Sequence, residues 1–214
     1  MKAILGDAKS VRQLLKGNKY SIDYYQREYK WEAKQLAELI ADLTTKFLES
    51  YEAEHERTAV EQYGHYFLGS IIISEKEGQR FIVDGQQRMT TLTLLLIYLH
   101  NVQRDRAEKV AVDELIFSER YGRRSFNLDV SDRTACMEAL FTGELFDATD
   151  QNPSVQNIAP RYADFDELFP DELQSEALPF FIDWLIENVH LVEITAYSDE
   201  DAYTIFETMN DRGL

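Results

Sequence analysis

The sequence predicts an α+β fold, a small mixed β-sheet with helices followed by a mostly helical region, and three observations carry that expectation. Two β-rich runs, YFLGSIIIS at 66–74 and QRFIV at 79–83, flank a turn. A helix pattern apolar on nearly every side follows at once. HLVEITAY at 190–197 then alternates as a half-buried strand does.

Taken in order, Val11, Leu14 and Leu15 after Ser10 read as a short amphipathic helix closed by Gly17, and 20–22 as a brief strand. The polar-aromatic run YQREYKW fills 25–31. Leu36, Leu39, Ile40, Leu43 and Phe47 share one face of a helix. Residues 49–62 are acidic and polar, and read as a frayed helix end or an exposed loop. In EKEG, Gly78 supplies the positive φ of a tight hairpin. Residues 107–187 are mostly helical in pattern, with turn signals at 121–125 and 150–153, and Ser175 is suited to cap the helix through Phe181, Ile182, Leu185 and Ile186. Ser198 with Asp201 resembles a capping box, Ala202, Ile205, Phe206 and Met209 form the buried stripe of the last helix, and Gly213 ends it. The expected organisation is a domain over 1–106 and a mostly helical region over 107–214, whose last strand and helix, 190–213, return to the site.

Composition narrows the function classes. The 214 residues carry a net charge of −17, and 44% are hydrophobic, enough for a real core. An acidic chain cannot wrap nucleic acid or an anionic membrane broadly, so any anion site must be local. The single cysteine, Cys136, excludes an intramolecular disulfide and fits a reducing, cytoplasmic location. No apolar run approaches the length of a membrane span, so no membrane partner is expected.

Three polar constellations carry candidate chemistry. The first is Asp84-Gly85-Gln86-Gln87-Arg88, placed between a strand and an apolar helix. A glycine at such a turn lets backbone approach a ligand, and the first N–H groups of the helix point outward with partial positive charge, which suits a phosphate. Arg88 adds a fork of donors, Gln86 and Gln87 add amides for a ligand or a water, and Thr90 and Thr91 add hydroxyls in the first turn. Asp84 would be repelled by phosphate unless a metal ion lies between them or it acts on a water or a sugar hydroxyl. The plainer alternative makes Asp84 and Gly85 an ordinary turn and leaves the other side chains solvated.

The second constellation is Tyr25-Gln26-Arg27-Glu28-Tyr29 with Trp31, able to stack on a base and reach phosphate, or simply to anchor a loop. The third joins Glu207 and Asn210, three apart on a helix, with Arg212 just beyond, and competes with ordinary C-terminal capping. His55, His65, His100 and His190 show no metal-ligand spacing, and Cys136 reads as a small buried residue. Arg123 and Arg124 are the only adjacent basic pair, too little for a nucleic-acid groove without help from elsewhere.

Read together, IDYYQREYKW at 22–31, FLGSI at 67–71, VDGQQRMTTL at 83–92 and FETMNDRG at 206–213 resemble, in order and spacing, the N-terminal domain of GmrSD-type, modification-dependent restriction systems. Asp23 stands where that family usually has proline, and Met89 and Met209 replace commoner leucines. The resemblance implies a ParB/sulfiredoxin-like domain whose strand-to-helix loop binds nucleotide phosphates. It implies nucleoside triphosphate binding and hydrolysis with Mg²⁺, as a regulatory step in restriction of foreign DNA. By the same resemblance Asp84, Gln86, Gln87 and Arg88 form the catalytic loop. Gly85, Thr90, Thr91, Tyr25, Gln26, Arg27, Glu207, Asn210 and Arg212 bind the nucleotide, and Asp84 is the candidate metal contact. The family continues into a nuclease region that the motifs here do not include, so DNA would be reached through a longer protein, and a fragment of this extent is not expected to cut it. The alternative function is a non-enzymatic module that recognises DNA or a modified base.

Overall fold

The computed structural model describes residues 5–22, 28–196 and 198–211, apart from the side chains at 120, 210 and 211. The α+β expectation holds. A mixed six-stranded sheet is built from β1 (Leu5–Ser10), β2 (Tyr20–Ile22), β3 (Tyr66–Lys76), β4 (Gln79–Asp84), β7 (Leu128–Asp129) and β8 (Val189–Ala196), in the order β1-β8-β3-β4-β2-β7. A separate two-stranded hairpin pairs β5 (Phe117–Arg120) with β6 (Arg123–Phe126).

Strand direction decides where a site can form. β2 runs parallel to both β4 and β7, β3 is antiparallel to β4, and β8 is parallel to β3. The carboxyl ends of β4, β2 and β7 therefore lie side by side at one end of the sheet, next to the amino ends of β3 and β8. Open sheets with helical connections bind ligands beyond such carboxyl ends.

The helices are α1 (Val11–Leu15), α2 (Ala33–Leu48), α3 (Gln86–Val102), α4 (Asp113–Ile116), α5 (Thr134–Thr142), α6 (Pro153–Leu168), α7 (Leu178–Glu187) and α8 (Asp199–Asp211). Ser10 caps α1 through a reciprocal box with Gln13. α3 is buried at every position from Met89 to Leu99, as its all-round apolar sequence requires, and it forms the spine of one continuous core that runs from Val11 to Leu191 in sequence. α8 covers the opposite face of the sheet, where Ala202, Ile205, Phe206 and Met209 pack with Ile72, Val83, Ile194 and Ala196. Ser74 donates to Asp199 at 2.8 Å and Lys76 pairs with the same carboxylate, which pins the start of α8 beside the far end of β3. The helix also contacts β4, and Val83, one residue before Asp84, belongs to the same apolar cluster as Met209.

Local expectations fail in three places. Ser175 does not cap α7, which starts at Leu178 behind Ala177 with no side-chain cap and a proline in its first turn. The 49–62 stretch contains a 3₁₀ turn over Arg57–Gln62 that buries Val60. The turn signal at 121–125 belongs to the β5–β6 hairpin, after which β7 joins the edge of the main sheet. The hairpin turns on a left-handed Tyr121 and Gly122, so a segment read as loop within helical surroundings is β-structure. Among the described residues no helix is long and apolar enough to cross a membrane.

Candidate functional site at the β4–α3 turn

Gly85 is the pivot. It sits at φ 89°, ψ 7°, in the left-handed region, between the last residue of β4 and the first of α3. A Cβ there would lie 2.5 Å from Ile71 Cγ2 and 3.1 Å from the Ser70 carbonyl oxygen, so no other residue fits. The conformation bends the chain abruptly from strand to helix and leaves the amides of Gln86, Gln87 and Arg88 without intrahelical acceptors, since the first helical bond is Met89 N–H to Gly85 O. Because the helix behind them is buried, its partial positive charge is poorly screened by solvent.

The turn opens into a cavity of about 140 Å³ lined by Trp31, Asp84, Gly85, Gln86, Gln87 and Arg88. That is room for phosphoryl groups rather than for a whole nucleotide. The Arg88 guanidinium lies across Gly69, where a Cβ would meet its Nε at 3.1 Å, and Nη1 donates to the Ser70 carbonyl at 2.8 Å. Gly69 adopts φ +117° at an irregularity in the β3–β8 register. The FLGSI run thus shapes a seat for Arg88. Among the described residues no three His, Cys, Asp or Glu side chains gather to hold a metal ion. Asp84 is the one carboxylate among the described residues that lines the cavity.

Gln87 is engaged by the backbone of residues 28 and 30. Its Nε2 donates to the Glu28 carbonyl at 2.8 Å and its Oε1 accepts from the Lys30 N–H at 2.8 Å, so the amide clamps both sides of Tyr29. Thr90 and Thr91 are 1% and 0% exposed. The first accepts from Arg133 at 3.0 Å and the second pairs with the Tyr29 hydroxyl at 2.8 Å, so both hydroxyls face the core rather than the cavity. Burial pushes the Tyr29 phenol up to about 12. Glu207 is exposed on α8. Tyr25, Gln26, Arg27 and Arg212 lie outside the described residues, as does the side chain of Asn210.

Sequence reasoning missed the α6 contribution. Ser154 Oγ accepts from the Tyr29 N–H at 3.0 Å, and Asn157 Nδ2 donates to the carbonyls of Tyr29 and Trp31 at 3.0 and 2.9 Å. Neither side chain belongs to a recognisable motif, and only the fold brings them to residues 28–31.

The site's parts, a glycine turn, a seated arginine and a clamped aromatic segment, are those of the motifs noted in the sequence. The model of the GmrSD restriction endonuclease N-terminal domain family matches residues 11–214. The chain belongs to this family. As a GmrSD N-terminal domain it is a restriction-system protein, and the match extends from α1 to the end of α8, including the α5–α7 region that carries little motif signal. No curated protein matches the GmrSD-type chain.

Proposed function

We propose that the β4–α3 turn of this GmrSD-type domain binds the phosphates of a nucleoside triphosphate with Mg²⁺ and catalyses its hydrolysis as a regulatory step in restriction. The observation that carries the reading is the row of helix-start amides at the head of a buried helix, opening into a cavity beside Arg88. The amides of Gln86, Gln87 and Arg88 hold the terminal phosphoryl oxygens. The Arg88 guanidinium, held at Ser70, neutralises charge as the bond to the leaving phosphate breaks. Gln86, whose side chain lines the cavity, orients the attacking water. The proton that the water loses passes to an oxygen of the transferred phosphoryl group.

Asp84 would be the protein contact for a divalent ion, which would supply charge neutralisation at the phosphates. Tyr25, Gln26 and Arg27, which follow β2 in the sequence, bind the sugar and base on this reading. Glu207 and Asn210, on α8, and Arg212, which follows it in the sequence, complete the nucleotide contacts on this reading. Thr90 and Thr91 act indirectly, by holding Arg133 and Tyr29.

The test is calorimetric titration of the chain with ATP, GTP, CTP and UTP plus Mg²⁺, beside Arg88→Ala and Gln86→Ala. Binding by at least one nucleotide that falls tenfold or more in Arg88→Ala supports the reading, and Gln86→Ala should bind normally while phosphate release drops. Binding that is indifferent to Arg88, or duplex DNA held at this turn without nucleotide, refutes it and favours the recognition-module alternative.

A further inference from the structure

The β5–β6 hairpin holds the basic pair that the nucleotide reading does not use. Three arginines fall within five residues, Arg120, Arg123 and Arg124, on a chain whose net charge is −17. The fold supplies what the bare pair lacks. Arg120 and Arg123 stand in register across the ladder, and the turn between them projects Tyr121, with its side chain entirely exposed.

The tip carries choices that cost stability, although Glu119 stands opposite Arg124 further down the ladder. Tyr121 adopts φ 52°, a region that bulky residues avoid. A fully exposed tyrosine contributes nothing to the core. Such costs persist where a function needs them. The arginine heads are also prepared for an anion. Arg123 and Arg124 are exposed, and neither forms an ion pair among the described residues. The Arg124 guanidinium stacks 4.0 Å over the Phe117 ring and 5.1 Å from that of Phe141, which fixes its plane and leaves its N–H edges facing solvent.

The base of the hairpin is rigid. Asn127, 1% exposed, donates to the carbonyls of Leu15 and Glu114 at 3.1 and 3.0 Å. His100, near the end of α3, stacks on Phe141 at 4.2 Å, and Phe117 meets the same ring at 4.8 Å. The base of the hairpin therefore lies along α3, with Phe126 near Thr90 and Phe117 near the Phe141 ring on which His100 stacks, and none of residues 117–126 lines the cavity at Gly85. It is a separate surface.

We infer that the 120–124 hairpin tip is a DNA contact, in which the two-stranded ribbon enters a groove of duplex DNA with Tyr121 against the sugar and base edges and Arg123 and Arg124 on the flanking phosphates. A major groove about 12 Å wide admits such a ribbon. A local basic tip on an otherwise acidic body gives one-sided, oriented contact, where a uniformly basic surface would give indiscriminate coating. The inference does not depend on the nucleotide reading, and it is tested without nucleotide.

The experiment is fluorescence anisotropy of the 214-residue chain with a labelled 20-base-pair duplex from low to moderate salt, for the parent, Arg123→Gln, Arg124→Gln, Tyr121→Gly and a distant control, Lys34→Gln. Each arginine variant should lose about eightfold in affinity at 0.1 M salt and lower the slope of log K against log salt by about 0.9, the effect of one phosphate contact. Tyr121→Gly should bind more weakly yet unfold at higher urea, because glycine tolerates the left-handed turn, so a folding defect cannot mimic the result. Unchanged affinity and slope in the arginine variants would overturn the inference. So would an equal loss in Lys34→Gln, which would make the binding diffuse.

Discussion

Gly85→Ala tests the geometry of the turn most directly. Two separate costs are imposed. Placing an L-residue at φ 89° costs about 1–2 kcal/mol. The new methyl, 2.5 Å from Ile71 Cγ2 inside a core where Ile71 is 0% exposed, must push strand or helix aside, at about 1–3 kcal/mol for overpacking. The expected destabilisation is about 2–5 kcal/mol, a large share of the ~5–15 kcal/mol of a typical domain. The assay is equilibrium urea unfolding followed by tryptophan fluorescence, with Trp184 buried as reporter. A second background separates the two costs. Ile71→Ala removes the clashing Cγ2, so in that background Gly85→Ala should cost only the backbone part, leaving a coupling of about 1–3 kcal/mol between the two sites. A single-variant cost below about 1 kcal/mol, or strict additivity, would mean that the turn can re-route and that the amides of Gln86 to Arg88 are not rigidly aimed.

Three further outcomes follow from particular contacts. Gln87→Ala should cost about 1 kcal/mol and raise the hydrogen-exchange rate of the Lys30 amide at least tenfold, because its acceptor is lost; unchanged exchange would show that the clamp is not formed in solution. Glu193 is opposed by burial, but the Lys9 hydrogen bond and the Arg80 and Lys9 charges win and hold its carboxyl below the usual range. With the folded value lower than the unfolded one, the unfolded chain binds the extra proton, so this stabilisation is complete above the unfolded value near ~4.3 and is lost as pH falls through the folded one. Glu193→Gln should therefore flatten the acid limb of the urea midpoint against pH, and an unaltered limb would contradict the assignment. Burial pushes the Cys136 thiol up to about 11, so a disulfide reagent at pH 8 should label it only as fast as the chain unfolds.

What could be read from the sequence was local. The α2 stripe, the β3–β4 hairpin, the buried α3 and the Ser198 cap of α8 each follow from patterns confined to a dozen residues, and the structure shows them. The β5–β6 hairpin was not legible, because its strands are four residues long and mostly polar. What holds it is Asn127 bonding to Leu15 and Glu114, a contact between distant segments. The same distinction divides the site. A glycine between strand and helix announces a turn whatever surrounds it. That Gln87 would grip the backbone of 28 and 30, or that Thr90 and Thr91 would turn inward, depends on which chain lies against the first turn of α3, and no spacing within DGQQR encodes that.

The two halves of the chain are joined at the site by directed bonds as well as by packing. Gln87 ties the start of α3 to the carbonyl of Glu28 and the amide of Lys30. Between those atoms, Ser154 and Asn157 of α6 hold the amide of Tyr29 and the carbonyls of Tyr29 and Trp31. Any ligand that moves the first turn of α3 must therefore move residues 28–31, and moving those residues stretches hydrogen bonds to α6. A buried tyrosine at 29, bonded to Thr91, keeps the linkage stiff, because its ring has no free volume into which to absorb the shift. The nucleotide site proposed above would need such a route from the phosphates to the rest of the protein. The backbone of this four-residue segment offers one, held by side chains on α3 and α6 that bond main-chain atoms.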